Sequence, residues 1–393
     1  MLNCIKLKNI LSFGPDGMEL ELKPLNVLIG PNGSGKSNLI EAIGLLQAAP
    51  KELTAPIIAG GGVSNWIWKG GSSTFPTARS VSAEIEAGLD YPSGKQPLRH
   101  SLAFIEKGHG LEVIDERIES ETPIPTGGAE VKVYFEWCDG RPSLPRENQN
   151  RPRLLLFDDR QKSILSQLRD PYHHPAITWL GDIYPRIRLY REWSFGRRTP
   201  PRLPQDAALP NNFLIEGGQN LGLILNRFKR EPAAKSRFLD SIRQLYEDIV
   251  DFDVIIEGGT VQVILQEGNN IVPAVRLSDG TLRYLCLLAI LCHPAPPPLV
   301  CLEEPELGLH PDILPGLTDL LREASQRCQL IVTTHSDTLV DALTDTPEAI
   351  IICEKEKGQT RMKRLDKDEL TTWLEKYRLG ELWSSGEIGG NRW

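Results

Sequence analysis

The chain opens on three strand-like segments, CIKLKNILSF at 4–13, MELELKP at 18–24 and LNVLIG at 25–30. The third is a short continuous apolar run ending in glycine, as expected of a buried strand that feeds a loop. Apolar Leu39, Ile40, Ile43, Leu45 and Leu46 then predict a helix that Pro50 ends. A Gly- and Ser-rich stretch at 57–78 reads as a loop. Four alternating segments follow, at 81–89, 98–107, 111–120 and 131–138. Turn signals at Tyr91-Pro92-Ser93-Gly94 and Gly108-His109-Gly110 separate them and predict an antiparallel lobe. Residues 140–152, rich in Pro and Arg, suit a boundary. Helical candidates lie around 160–170, 217–229 and 233–250, then strands at 251–258 and 260–268.

The final third alternates strand and helix: Leu299–Glu303, Pro311–Arg327, Gln329–Thr333, Asp337–Leu343, Ala349–Cys353. That alternation predicts a parallel sheet with helices on its faces. No internal repeat, low-complexity tract or sustained heptad is visible, so a long coiled-coil arm is not expected.

With 24% charged and 40% hydrophobic residues, the composition is that of a soluble globular protein. The N-terminus has no secretory pattern. The longest apolar run, Tyr284 to Cys292, is too short to span a bilayer. A cytoplasmic protein without membrane contact is expected. The seven cysteines form no C-x-x-C pair, and most sit in apolar segments as small hydrophobes. A net charge of −8 argues against coating nucleic acid by charge alone. Residues 141–202 nevertheless carry 13 Arg/Lys against 6 Asp/Glu, together with Trp179, Tyr184, Tyr190, Trp193 and Phe195. This stretch is either a nucleic-acid or partner surface, with Arg186, Arg188 and Arg191 as candidate contacts, or a face packed against acids of the same chain.

Gly30-Pro31-Asn32-Gly33-Ser34-Gly35-Lys36-Ser37 satisfies G-x-x-x-x-G-K-[ST], with a strand before it and a helix after it. Its glycines let successive N–H groups of Asn32, Gly33, Ser34 and Gly35 turn inward on phosphate oxygens, assisted by the helix N-terminus. Lys36 is placed to reach the β- and γ-phosphates of ATP, and the Ser37 hydroxyl to hold Mg²⁺. Leu299–Glu303 continues into Glu304, so an apolar strand ends in two carboxylates. In a phosphate-loop ATPase the first can bind the metal and the second can orient and deprotonate the attacking water.

With these elements in this order, the sequence resembles the ABC ATPases, and more closely their RecF/SMC-like branch, over about half its length at the two ends. The fold this implies is α/β: a P-loop NTPase, an ABC-type ATPase head with an antiparallel β lobe and a helical insert. The expected division is 1–150 and 271–393 for the two parts of the head and 151–270 for an Arg-rich helical insert. By this resemblance Glu303 is the metal-linked acid, Glu304 the catalytic glutamate, Glu306–Pro311 the D-loop and His335 the switch histidine. Leu277-Ser278-Asp279-Gly280-Thr281 stands where the family has LSGGQ, departing at Asp279 and Thr281. Ser278 and Gly280 would cap ATP held by the partner copy. For the Q-loop, Gln167 is the candidate metal contact, with Gln161 and Gln47 as alternatives. The C-terminal segment, Leu379 to Trp383 and Glu387 to Trp393, resembles the ending of a group of bacterial predicted ATPases of this branch. Its tryptophans would dock on a partner or pack back on the head.

The resemblance implies an ATP-binding and ATP-hydrolysing switch that homodimerises on ATP. It also implies service as the ATPase component of a DNA-repair or anti-phage defence assembly, with a separate effector such as a nuclease and with DNA as a candidate ligand. The alternative is the nucleotide-binding subunit of an ABC transporter, against which stand the altered signature and the roughly 240 residues between Ser37 and Leu277.

Overall fold

The structure is a computed structural model, and it describes residues 1–70, 81–94, 96–108, 110–122, 131–138, 140–145, 153–154, 159–194 and 196–390. Part of the Gly/Ser-rich loop (71–78), His109, most of the 140–152 boundary, Phe195 and Asn391-Arg392-Trp393 lie outside the described residues.

Six strands form the central sheet, in the order Arg188–Tyr190, Leu299–Glu303, Gln329–Thr333, Leu25–Ile29, Ile350–Glu356, Gln359–Arg364. The first five are parallel and the last pairs antiparallel. Parallel strands joined by crossovers are covered on both faces, so their sequences become continuous apolar runs. Here Val27, Ile29, Val300, Leu302, Leu330 and Val332 enter one core. Their neighbours Leu28, Leu299, Cys301 and Ile331 enter the other. The helix Lys36–Ala48 shares the second core through Leu39, Ile40, Ile43 and Leu46. On the first face lie helices Asp279–Leu291 and Leu314–Ser325. Eleven side chains of the former are buried, which explains why its sequence is apolar on nearly every side.

The lobe is an eight-stranded antiparallel sheet. Its order is Met18–Glu21, Leu2–Lys8, Ala83–Leu89, Leu98–Lys107, Gly110–Ser120, Val133–Cys138, Arg141–Leu144, Arg153–Leu154. A third sheet pairs Ile249–Glu257 with Thr260–Glu267, whose other edge takes Gln205–Asp206 and Asn270–Pro273. It packs with helices Leu221–Phe228 and Pro232–Arg243 into the core of the Asp279–Leu291 helix.

The structure departs from sequence expectation in places. Residues 54–66 hold two short helices, Thr54–Ala59 and Val63–Trp66, because Ile57, Val63 and Trp66 bury against the lobe core. The helix expected at 160–170 is one turn, Ile164–Gln167, and the longer helix is Pro175–Ile183. This region is bolted to the lobe by buried Glu116. Its carboxylate accepts from Ser163 Oγ and the Ile164 N–H and lies 3.1 Å from His100 Nε2, while His100 Nδ1 is 3.1 Å from Tyr184 Oη. No described helix is long and apolar enough to cross a membrane.

Candidate functional site

The phosphate loop joins the central strand Leu25–Ile29 to the helix Lys36–Ala48. Gly30, Gly33 and Gly35 have φ of 146°, 76° and 101°, a region costly for residues with a Cβ. At Gly35 a Cβ would collide with Thr360 Oγ1 and Ser12 Oγ. Those hydroxyls form a polar buttress: Ser12 Oγ lies 2.6 Å from Thr360 Oγ1, Thr360 Oγ1 donates to Ser34 O at 2.8 Å, and Asn38 Nδ2 donates to Ser12 Oγ at 2.7 Å. No side chain caps the helix, so its first N–H groups face the loop. The Lys36 ammonium is buried and donates to Gly30 O at 2.7 Å and Pro31 O at 3.1 Å. Asn32 and Gly33 are exposed at the tip, and Ser34 is buried.

Across the loop, Ser37 Oγ donates to Glu303 Oε2 at 3.2 Å. Burial pushes the Glu303 carboxyl up from its ordinary pKa, and Arg191 opposes that rise. Arg191 Nε donates to Glu303 Oε1 at 3.2 Å, and its Nη2 donates to Glu41 Oε1 at 3.0 Å. Trp193 Nε1 donates to the Glu303 carbonyl at 3.0 Å, and the Arg283 guanidinium stacks on the Trp193 ring at 4.5 Å. Arg283 also donates to the Glu304 carbonyl.

Glu304 has φ of +44°, a left-handed conformation that strains a residue with a side chain. Its N–H donates to Thr333 O at 3.0 Å and lies 3.2 Å from Thr333 Oγ1. Its Oε1 lies 3.7 Å from His335 Nε2. Glu306 anchors the histidine: Oε1 accepts from Thr334 Oγ1 at 2.7 Å and from the His335 N–H at 2.9 Å. Burial raises the pKa of that carboxyl, an effect these two donors oppose.

Ser278 caps the Asp279–Leu291 helix, its Oγ accepting from the Thr281 N–H at 3.0 Å. A Cβ at Gly280 would stand 2.8 Å from Gly308 O, so the start of this helix packs against the Glu306–Pro311 segment of its own chain. Asp279 pairs with Arg202, which holds its carboxyl below the usual range.

The structure thus brings Lys36, Ser37, Glu303, Glu304 and His335 to the C-terminal ends of three adjacent parallel strands. It does not bring Gln167 there. That amide donates to Lys162 O and Ser163 O, and the residue borders a small cleft with Glu116, Phe135 and Trp137 under the lobe. Gln161 lies beside Gly110, and Gln47 Nε2 donates to Ile187 O at 2.6 Å. Arg191, at the end of the strand beside Leu299–Glu303, is the side chain that reaches Glu303 from that edge. Residue type alone hid it, because a search for glutamine passes over arginine. Glu41, Trp193, Arg283, Thr333 and the Ser12–Thr360 buttress were also missed, and no local motif marks them.

Among the described residues, part of the Arg-rich stretch is paired within the chain: Arg160 with Glu112, Arg169 with Asp182, Arg191 with Glu41 and Glu303, Arg202 with Asp279. Arg188 is half-buried, donates to Pro185 O and Ile187 O, and covers the Phe213 ring at 4.9 Å. Of the three arginines proposed as nucleic-acid contacts, Arg186 alone is exposed.

Comparison with known proteins agrees with this fold. Residues 25–341 match the family described as "AAA domain, putative AbiEii toxin, Type IV TA system". The chain belongs to that family. The ATPase is also 32% identical over 107 residues to the chromosome partition protein Smc of Mycolicibacterium paratuberculosis and 31% identical over 107 residues to that of Mycobacterium tuberculosis. Each match covers 27% of this chain and only 8% of the relative's length. Among solved structures, an SMC head bound to the C-winged helix domain of ScpA superposes with a TM-score of 0.57 at 17% identity, covering 94% of this chain and 99% of that one. An SMC head with an extended coiled coil, bound to the C-terminal domain of ScpA derived from Pyrococcus furiosus, gives 0.53 at 16%, covering 95% and 98%. The fold is therefore that of an SMC ATPase head, and the match to the AAA-domain family makes the protein an ATPase.

Proposed function

We propose that the protein is an ATP-gated dimeric switch in which Glu304 is the catalytic base and His335 the switch histidine. One observation carries this reading. Ser37 and Glu303 meet at 3.2 Å beside the loop, while the next residue turns through a left-handed φ toward His335.

The pair Ser37–Glu303 offers two hard oxygens at a helix N-terminus, a donor set that suits Mg²⁺. When bound, that ion supplies charge neutralisation to the β- and γ-phosphate oxygens. The chain's own residues do the rest. Lys36 exchanges its loop carbonyls for phosphate oxygens, gaining charge-assisted hydrogen bonds. The N–H groups of the loop hold the triphosphate in line. Glu304 accepts a proton from water, and His335 fixes the orientation of that carboxylate and of the γ-phosphate. The Ser278–Gly280 segment of a second copy closes over the nucleotide, so ATP stabilises the dimer and hydrolysis releases it. In this reading residues 1–150 and 271–393 build one head, and 151–270 is an insert that lends it the edge strand Arg188–Tyr190.

The same reading makes the protein the ATPase of a DNA-repair or anti-phage defence assembly whose effector, such as a nuclease, is a separate chain. The family description, with its AbiEii toxin and Type IV TA system, supports a defence role. The ScpA-bound SMC head is a precedent for a protein partner on this fold. DNA contact would fall to exposed Arg186, Arg197 and Arg198 rather than to Arg188 and Arg191.

Glu304→Gln tests the switch. The amide keeps the side chain's shape but accepts no proton. ATP should therefore hold the variant as a dimer in size-exclusion chromatography with light scattering, while turnover falls about a hundredfold or more. A variant that stays monomeric with ATP, or hydrolyses at the wild-type rate, contradicts the mechanism.

A further inference from the structure

The C-terminal segment has no part in the chemistry described so far, yet its last described residue, Gly390, lies against the phosphate loop. Helix Leu379–Ser385 stops at Gly386, whose φ of 88° lets the chain reverse. Gly389 and Gly390 follow with φ of 81° and 72°. The indole N–H of buried Trp383 donates to Gly390 O at 3.0 Å, and the Gly390 N–H donates to Glu354 Oε1 at 2.6 Å. A side-chain carbon at Gly390 would lie 3.1 Å from Ile352 Cγ2, 3.4 Å from Trp383 Nε1 and 3.6 Å from the Cα of Gly30. Gly30 is the first residue of the phosphate loop, and its other side is closed by the Cys353 carbonyl, with which a Cβ would collide.

We propose that Trp383, Gly389 and Gly390 are positioning residues of the nucleotide site, with the tail serving as the outer jaw of a clamp on Gly30. The inner jaw is the backbone of Cys353 and the hinge is Glu354, one residue further along the same strand. Gly30 matters because its carbonyl accepts from Lys36 Nζ at 2.7 Å. A displaced Gly30 moves the carbonyl that aims the ammonium, and it moves the point from which the loop's N–H groups fan out. The two glycines are required for two reasons. Their left-handed φ is one, and at Gly390 the close approach to Ile352, Trp383 and Gly30 is the other. The tryptophan is required for its N–H as well as its ring, because Gly390 O is its acceptor. The tail therefore acts on ATP affinity and leaves Glu303, Glu304 and His335 on their own strands untouched.

This inference rests on the nucleotide-site reading above, and the experiment separates the two. Full-length wild type, Lys36→Ala, Gly390→Ala and Trp383→Phe are titrated with a fluorescent ATP analogue in Mg²⁺. Steady-state ATPase is measured on the same preparations, with nucleotide-free melting temperatures as the folding control. Gly390→Ala should weaken nucleotide binding about tenfold and raise KM in proportion, with kcat at saturating ATP within about twofold of wild type. Trp383→Phe, which keeps the ring and loses the donor, should show a smaller rise in KM of the same kind. Should Gly390→Ala not fold, Trp383→Phe decides alone. Wild-type affinity in a folded Gly390→Ala and in Trp383→Phe overturns the clamp, as does a loss confined to kcat. Failure of the wild type to bind the analogue sinks the nucleotide site itself rather than the role of the tail.

Discussion

Arg283 is the side chain whose removal most directly tests how Glu304, the proposed base after strand Leu299–Glu303, is held. It lies on the Asp279–Leu291 helix, 4% exposed, stacked on Trp193 and donating to the carbonyl of Glu304. Burial lowers its guanidinium to about 10, so it stays charged at neutral pH. Glu304 sits at φ +44°. For a residue with a side chain that conformation costs about 1–2 kcal/mol. Thr333 holds the Glu304 N–H and Arg283 holds its carbonyl. A hydrogen bond from a charged donor contributes about 1.5–3 kcal/mol, enough to offset the strain alone. In Arg283→Met the volume is roughly kept while the donor is lost, so the strained conformation is no longer favoured. The carboxylate then spends most of its time away from its place opposite His335. A loss of about 1.5–3 kcal/mol of positioning corresponds to a kcat lower by about ten- to a hundredfold. ATP KM should stay within about threefold, because Lys36 and the loop lie elsewhere. The assay is phosphate release at saturating Mg·ATP, at a temperature where melting curves show both proteins folded. Arg283→Lys, which keeps a donor but loses the stacking, should recover part of the rate. A folded Arg283→Met with wild-type kcat would refute the reasoning, because Glu304 would then hold its geometry without Arg283.

Three further outcomes are expected. Lys36→Ala should weaken ATP binding about a hundredfold through loss of a charged phosphate contact, read by nucleotide titration; unaltered turnover would mean that the loop is not the site. Gly35→Ala should lower folding stability by about 2–4 kcal/mol in urea denaturation, since its φ is +101° and its Cβ would strike Thr360 and Ser12; a change under about 0.5 kcal/mol would speak against a rigid buttress. His293 is buried beside Phe213 and Phe228, and burial lowers its pKa from 6.5 to about 4. The unfolded chain takes up the proton first, so this group's contribution is present above pH 6.5 and is lost as pH falls toward 4. It is on the order of 2–3 kcal/mol. His293→Gln, which does not titrate, should lose less stability over that interval, and identical pH slopes would contradict the assignment.

What the sequence disclosed follows from where the information is local. The phosphate loop, the acidic strand end and the histidine after Gln329–Thr333 are each short and contiguous, and each follows an apolar run that only a buried parallel strand explains. Arg188–Tyr190 was not legible for the opposite reason. It is a three-residue edge strand between arginines, and its partner Leu299–Glu303 lies more than a hundred residues on. Without that strand Arg191 reads as surface charge, and the search for a metal contact goes instead to Gln167, which the chain folds beneath the lobe. The short helices at 54–66 were hidden by glycine content, since Ile57, Val63 and Trp66 are too few to set a period yet suffice to bury a face. The fate of the tail was open on sequence grounds, and Trp383 settles its own part by packing onto the head.

Two features that look anomalous in the sequence, a basic excess at 141–202 and an acid inside the signature, answer each other in the fold. Arg202 neutralises Asp279, so the signature helix begins with a paired carboxylate rather than a bare one. From the same stretch Arg191 reaches Glu303 and Glu41, while Trp193 holds the Glu303 carbonyl and carries Arg283 on its face. One segment of some twelve residues therefore touches Glu303 at the strand end and Asp279 and Arg283 on the helix Asp279–Leu291. The charges of Arg191 and Arg202 are spent inside the molecule, where each is partly desolvated and more effective than on the surface, while Arg197 and Arg198 stay exposed.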